Sequence, residues 1–78
     1  MVRKLEIFEK IGFNIKKYRV EQNISLKELS NKTGINIKYL SRIEKAKAIG
    51  MRMSHLFIIA SALNIKVSVL LKNANPKQ

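Results

Sequence analysis

Between Asn36 and Arg42 the chain places an amide, an ammonium, a hydroxyl and a guanidinium at Asn36, Lys38, Ser41 and Arg42, with the apolar Ile37 among them. Spacings of three and four residues put such groups along one side of a helix. A guanidinium offers a planar fork of donors, an ammonium a point charge, and the amide and hydroxyl both donate and accept. This is chemistry for pairing with hydrogen-bonding edges and anions. Bond-making chemistry has little material. There is no cysteine, no aspartate, a single histidine, and five glutamates spread along the chain, so no nucleophile is paired with a base. His55 reads as a surface or capping residue, and Gly12, Gly34 and Gly50 form no phosphate-cradling loop. Catalysis is therefore not expected, nor is a metal or cofactor.

Two short helical patterns must position those groups, and they meet at Gly34. Ser25-Leu26-Lys27-Glu28 is a capping box, a hydroxyl followed three residues later by a carboxylate, which starts a helix running through Leu29 to Thr33. Gly34 ends it, because glycine accepts positive φ without a Cβ penalty. Asn36 then caps a second helix over 36–45, with Ile35 leading in and Leu40 and Ile43 three apart on the inner face. Ser30 is small where the two would cross. The expected unit is a helix-turn-helix whose outer face is basic.

Length and charge narrow the class. Seventy-eight residues make one domain, taken as 1–72 with a frayed polar tail at 73–78, and 46% apolar content is enough for a small all-helical core. Without cysteine, no disulfide assists it. Sixteen basic against five acidic residues give a net charge of +11, which points to a polyanionic partner. No stretch approaches the roughly 20 apolar residues of a spanning helix, and the Met1-Val2-Arg3-Lys4 start leads into mixed Glu and Lys, so a cytoplasmic location is expected.

A first helix over 4–22 is predicted from Phe8, Ile11, Ile15 and Tyr18, with Lys10, Lys17 and Glu21 opposite. Gly12 within it costs about 1 kcal/mol relative to alanine, which makes sense if another helix crosses close by. A fourth helix over 52–63 carries a Met53, Leu56, Ala60, Leu63 stripe with Phe57 and Ile59 beside it, and a short fifth holds Val67, Val69, Leu70 and Leu71. Ile58 adds apolar surface beyond what one inward face needs. The surplus suggests a subunit interface at Ile58, Val67, Val69 and Leu71.

The runs Ser25-Leu26-Lys27-Glu28-Leu29-Ser30, Gly34-Ile35-Asn36 and Tyr39-Leu40-Ser41-Arg42-Ile43-Glu44 resemble the phage-repressor type of helix-turn-helix regulators, the Cro-like or Xre-like family. The resemblance extends from about Ile11 to Leu71, including Arg19 and Ala60-Ser61-Ala62-Leu63-Asn64-Ile65. Size and the Tyr-Leu-Ser-Arg-Ile-Glu run also look like the controller proteins of restriction-modification systems. The chain departs from the family after Glu44, with Ala46 where a glycine is usual and Met51 where a proline is common. Ala46, a strong helix former, allows the helix to continue by a turn toward a later stop at Gly50.

That resemblance implies a five-helix, all-α, lambda-repressor-like DNA-binding domain, with Arg19 and Glu44 paired to join the first helix to the end of the third. It also implies a homodimer on an inverted-repeat operator in double-stranded DNA, regulating transcription, with RNA polymerase a further candidate partner. An α-helix fits the major groove, so Asn36, Ile37, Lys38, Ser41 and Arg42 are the candidates for reading bases. Arg42 suits guanine, Lys38 a base edge or a phosphate, and Ile37 a thymine methyl. Phosphate contacts are expected from the helix N-terminus at Ser25, from Lys27, and from Lys45, Lys47 and Arg52. Tyr39 either bonds a phosphate or packs its ring on the preceding helix. Two other readings compete: an antitoxin-type interaction module that masks a partner, and non-specific cationic binding.

Overall fold

Ile11 and Ile15 lie one turn apart on α1 (Lys4–Glu21), both buried in the core. The computed structural model describes residues 4–48 and 51–72; the tail expected at 73–78, the Met1–Arg3 start and Gly50 lie outside that range. After α1 come α2 (Leu26–Thr33), α3 (Ile37–Glu44), α4 (Met53–Ala62) and α5 (Val67–Leu70), with no strand among the described residues. Among the described residues the fold is all-α, with five helices.

Packing follows the apolar stripes. α3 lies against α1 and α2, α4 against α2 and α5, and α5 returns to α1. Leu29, Leu40, Ile43, Leu56, Ile59, Leu63 and Leu70 close the core, and the radius of gyration is 11.6 Å, close to the roughly 11–12 Å of a well-packed chain this long. Met53 stands outside its expected stripe, at 53% exposure. It is the first residue of α4, and Leu56, one turn on, already makes the inward contact.

Gly12 marks the crossing of α1 over α3. A Cβ built there would sit 2.5 Å from the Ile43 carbonyl oxygen and 2.8 Å from that of Glu44. The α1 stripe also hides a polar residue, Asn14, which is 3% exposed. Its amide donates to the Leu70 carbonyl at 2.9 Å and the Lys72 carbonyl at 2.8 Å, so burial costs no unmade bond and α5 is tied to α1.

Three helices end through the same backbone device. After α1, Ile24 N–H donates to Arg19 O and Asn23 N–H to Val20 O, with Asn23 at φ 59°. After α4, Ile65 donates to Ala60 and Asn64 to Ser61, with Asn64 at φ 58°. After α3, Lys47 donates to Arg42 at 2.8 Å and Ala46 to Ile43 at 3.1 Å, with Ala46 at φ 61°. Each is a Schellman closure. The extension of α3 past Ala46 that the sequence leaves open does not form: the helix stops at Glu44, and Ala46 takes the left-handed conformation itself. Turning there returns the chain so that Ala48 is buried in the core, at a cost of about 1–2 kcal/mol for a left-handed non-glycine residue.

Candidate nucleic-acid interface

The turn between α2 and α3 is held by side chains as well as by backbone. Ser25 Oγ accepts from the Glu28 amide at 3.0 Å, the forward half of the expected capping box; no return bond runs from the Glu28 carboxylate to the Ser25 amide. Gly34 sits at φ 76° and donates to Ser30 O at 2.8 Å. Ser30 Oγ donates to the Ile35 carbonyl at 2.6 Å, and Thr33 Oγ1 donates to Leu29 O while accepting from the Ile35 amide at 3.1 Å. Both Ile35 backbone groups are thus occupied. Ser30 contributes a bond as well as a small volume, and neither it nor Thr33 was singled out for this by the sequence pattern.

α3 is capped by Asn36, whose Oδ1 accepts from the Lys38 amide at 2.8 Å. At about 100° per residue, Leu40 and Ile43 define the inward direction, and Ile37, Lys38, Ser41, Arg42 and Lys45 fan out on the opposite side. Ile37, Lys38, Arg42 and Lys45 are exposed, Ser41 half-buried, and Asn36 exposed with its oxygen committed to the cap. Arg42 Nη2 reaches the Lys47 carbonyl at 3.4 Å, a long bond that lays the guanidinium along the helix end.

The one acidic residue of α3 is removed from this surface. Glu44 accepts from Arg19 Nε at 2.7 Å and Nη2 at 3.1 Å, with side-chain exposures of 12% for Arg19 and 7% for Glu44. The same guanidinium donates through Nη1 to the Ile24 carbonyl at 2.8 Å. One side chain therefore joins α1, the α1–α2 turn and the end of α3, and the charged residues on the outer face of α3 are all basic.

Around this face lie the other candidates. Ser25 and Lys27 are exposed at the start of α2, where the first-turn amides have no preceding helical carbonyl and favour an anion. Lys45, Lys47 and Arg52 are exposed beyond the end of α3. Tyr39 points elsewhere: its ring meets His55 edge-on, centroids 5.2 Å apart, and packs against the core's edge rather than on α2 alone. His55 completes the start of α4, Nδ1 accepting from the Arg52 amide at 3.3 Å while its own amide donates to the Arg52 carbonyl at 3.0 Å. It is a capping residue. Among the described residues no group of acidic, histidine or cysteine side chains gathers to hold a metal, and no helix is long and apolar enough to cross a membrane.

Comparison with known proteins agrees with this geometry. Residues 15–70 match the helix-turn-helix family HTH_3. The chain belongs to that family. It is 38% identical over 61 residues to the HTH-type transcriptional regulator SinR of Bacillus subtilis and, equally, to that of Bacillus licheniformis, an overlap of 78% of this chain and 55% of theirs. It thus spans about half the length of the curated relatives it matches. A hypothetical transcription factor, NHTF, from Neisseria superposes with a TM-score of 0.84 at 21% identity, over 99% of this chain and 87% of that one. An HTH_3 family transcriptional regulator from Vibrio cholerae superposes at 0.83 with 24% identity, over 92% of this chain and 40% of the other. These two share the fold. All four are named as transcription factors or regulators, not enzymes.

Proposed function

We propose that this protein regulates transcription by sequence-specific binding to double-stranded DNA, as a homodimer on an inverted-repeat operator. One α3 would enter the major groove at each half-site, the two about 34 Å apart. The observation that carries this reading is the outer face of α3, where Ile37, Lys38, Arg42 and Lys45 are exposed while the helix's one carboxylate is taken up by the Arg19–Glu44 pair. Asn36, Ile37, Lys38, Ser41 and Arg42 read bases, Asn36 through the amide nitrogen that capping leaves over. Ser25, Lys27, Lys45, Lys47 and Arg52 hold phosphates. With its ring against His55, Tyr39 has at most its hydroxyl to offer a phosphate.

Dimerisation is supported by apolar side chains on α4 and α5 that the protomer leaves uncovered. Ile58 and Leu71 are exposed, at 42% and 43%, Val67 and Val69 are half-buried, and Phe57 beside Ile58 is 59% exposed. The same patch is what an antitoxin-type module would use to mask a partner, so this second reading is kept. A restriction-modification controller acting with RNA polymerase is a finer form of the first. Selection of bound duplexes from a random pool, then titration against a scrambled duplex at matched salt, separates these. A palindromic motif preferred by orders of magnitude supports the operator reading; equal affinity for both duplexes overturns it.

A further inference from the structure

The outward side of α1 carries apolar residues where a solvent-facing helix ordinarily carries charge. Phe13 and Val20, 55% and 53% exposed, are seven residues apart and fall within about 20° of each other around the axis, opposite the buried Ile11 and Ile15. Between them Lys16 and Lys17 stand on either flank, with Glu21 at one end. These five residues share one open face of this helix and frame a shallow, mostly apolar hollow between their side chains. Among the described residues neither lysine has a carboxylate within salt-bridge distance. Lys17 instead leans over the Tyr18 ring, its ammonium 5.3 Å from the centroid.

We propose that this face docks a partner protein through an acidic amphipathic helix. That helix would present two apolar residues about two turns apart to Phe13 and Val20, with carboxylates against Lys16 and Lys17. Charge decides the occupant. A second copy matching Phe13 to Val20 in antiparallel register would bring four lysines together at the dyad, and like charges so placed oppose association. Nucleic acid has phosphates for the lysines, but nothing that profits from covering Phe13 and Val20. Glu21 sets the direction, because it repels a carboxylate beyond Val20 and accepts a cation there. The hollow is centred about 90° around α1 from Gly12, where α3 crosses, and its lining includes no residue of the basic face of α3. The proposal does not depend on that face reading DNA.

The test uses the full chain and two synthetic helical peptides sharing leucines at positions i and i+7, one flanked by glutamates and one by lysines, with binding mapped on the backbone amides by NMR. The acidic peptide is expected to bind with shifts centred on residues 13–20. Phe13→Ser and Val20→Ser should each weaken it at least about tenfold. Lys16→Glu with Lys17→Glu should reverse the preference toward the basic peptide. All these sites are exposed, so an unchanged circular-dichroism melt is expected of every variant. Equal binding of both peptides, shifts located elsewhere, or no reversal on charge inversion overturns the proposal. So do concentration-dependent shifts at residues 13–20 without peptide, which would identify a second copy. Binding confined to anionic vesicles, with none to the acidic peptide, also overturns it.

Discussion

Arg42 and Lys47 touch each other, yet the proposed function assigns them different tasks. Arg42 lies on the outer face of α3, where a planar donor fork can meet two acceptors of one base. Arg42→Ala should weaken operator binding by about 1–3 kcal/mol and relax preference at one base position; gel-shift titrations over a panel of single-base changes would show undiminished discrimination if Arg42 does not read. Lys47 stands beyond the helix end. Lys47→Ala should weaken all duplexes alike and flatten the dependence of log affinity on log salt by about one unit, and a loss confined to one sequence contradicts that role. Ala46 offers a prediction about stability alone. Its left-handed backbone, φ 61°, is one glycine adopts freely, so Ala46→Gly should stabilise the fold by about 1 kcal/mol, read as a higher denaturant midpoint at unchanged slope. Here the sequence was legible at the helix ends, where Ser25, Asn36 and Gly34 bond within four positions of themselves, but not at the equally local bonds of Ser30 and Thr33 to Ile35. It was silent on Asn14, whose acceptors lie 56 and 58 positions away, and on Tyr39 and His55, whose rings meet only once α3 and α4 have packed. Ala46 misleads because its helix propensity is local while the turn that overrides it is imposed by burying Ala48.

Helices repeat this division between local and distant causes. Periodicity placed α1 to α5 within a residue or two because apolar side chains recur at helical spacing and caps mark the ends. It missed that Met53 overhangs the core, since a stripe indicates a direction but not where the opposing helix stops. The crossing of α1 and α3 was half visible, as a glycine in mid-helix. Gly12→Ala would drive a methyl group against two backbone carbonyls that cannot rotate away. A loss of at least about 2–3 kcal/mol is expected, and a melting temperature within a degree of the parent would refute the close contact. Arg19→Ala leaves Glu44 nearly buried and unpaired. The expected cost is about 3 kcal/mol, with weaker DNA binding beyond what unfolding explains, because the end of α3 loses its anchor to α1.

For the whole molecule, +11 in charge and the apolar side chains left exposed on α4 and α5 suit different partners in the function proposed above, DNA and a second copy. Ile58→Lys with Leu71→Lys should shift the protein toward monomer in sedimentation and lower affinity for a full palindrome far more than for a half-site; an unchanged sedimentation coefficient would move the interface elsewhere. The Arg19–Glu44–Ile24 junction has a practical corollary. Because orientation is governed from behind the helix, the side chains of Ile37, Lys38, Ser41 and Lys45 make no hydrogen bonds to the rest of the described fold. Randomising the codons of the exposed Ile37, Lys38 and Lys45, with proline and glycine left out, should yield a library whose members nearly all fold with parental stability, within about 0.5 kcal/mol per change, whereas half-buried Ser41 should tolerate only small residues. Such a collection would be a ready chassis for selecting new binding preferences without redesigning the frame.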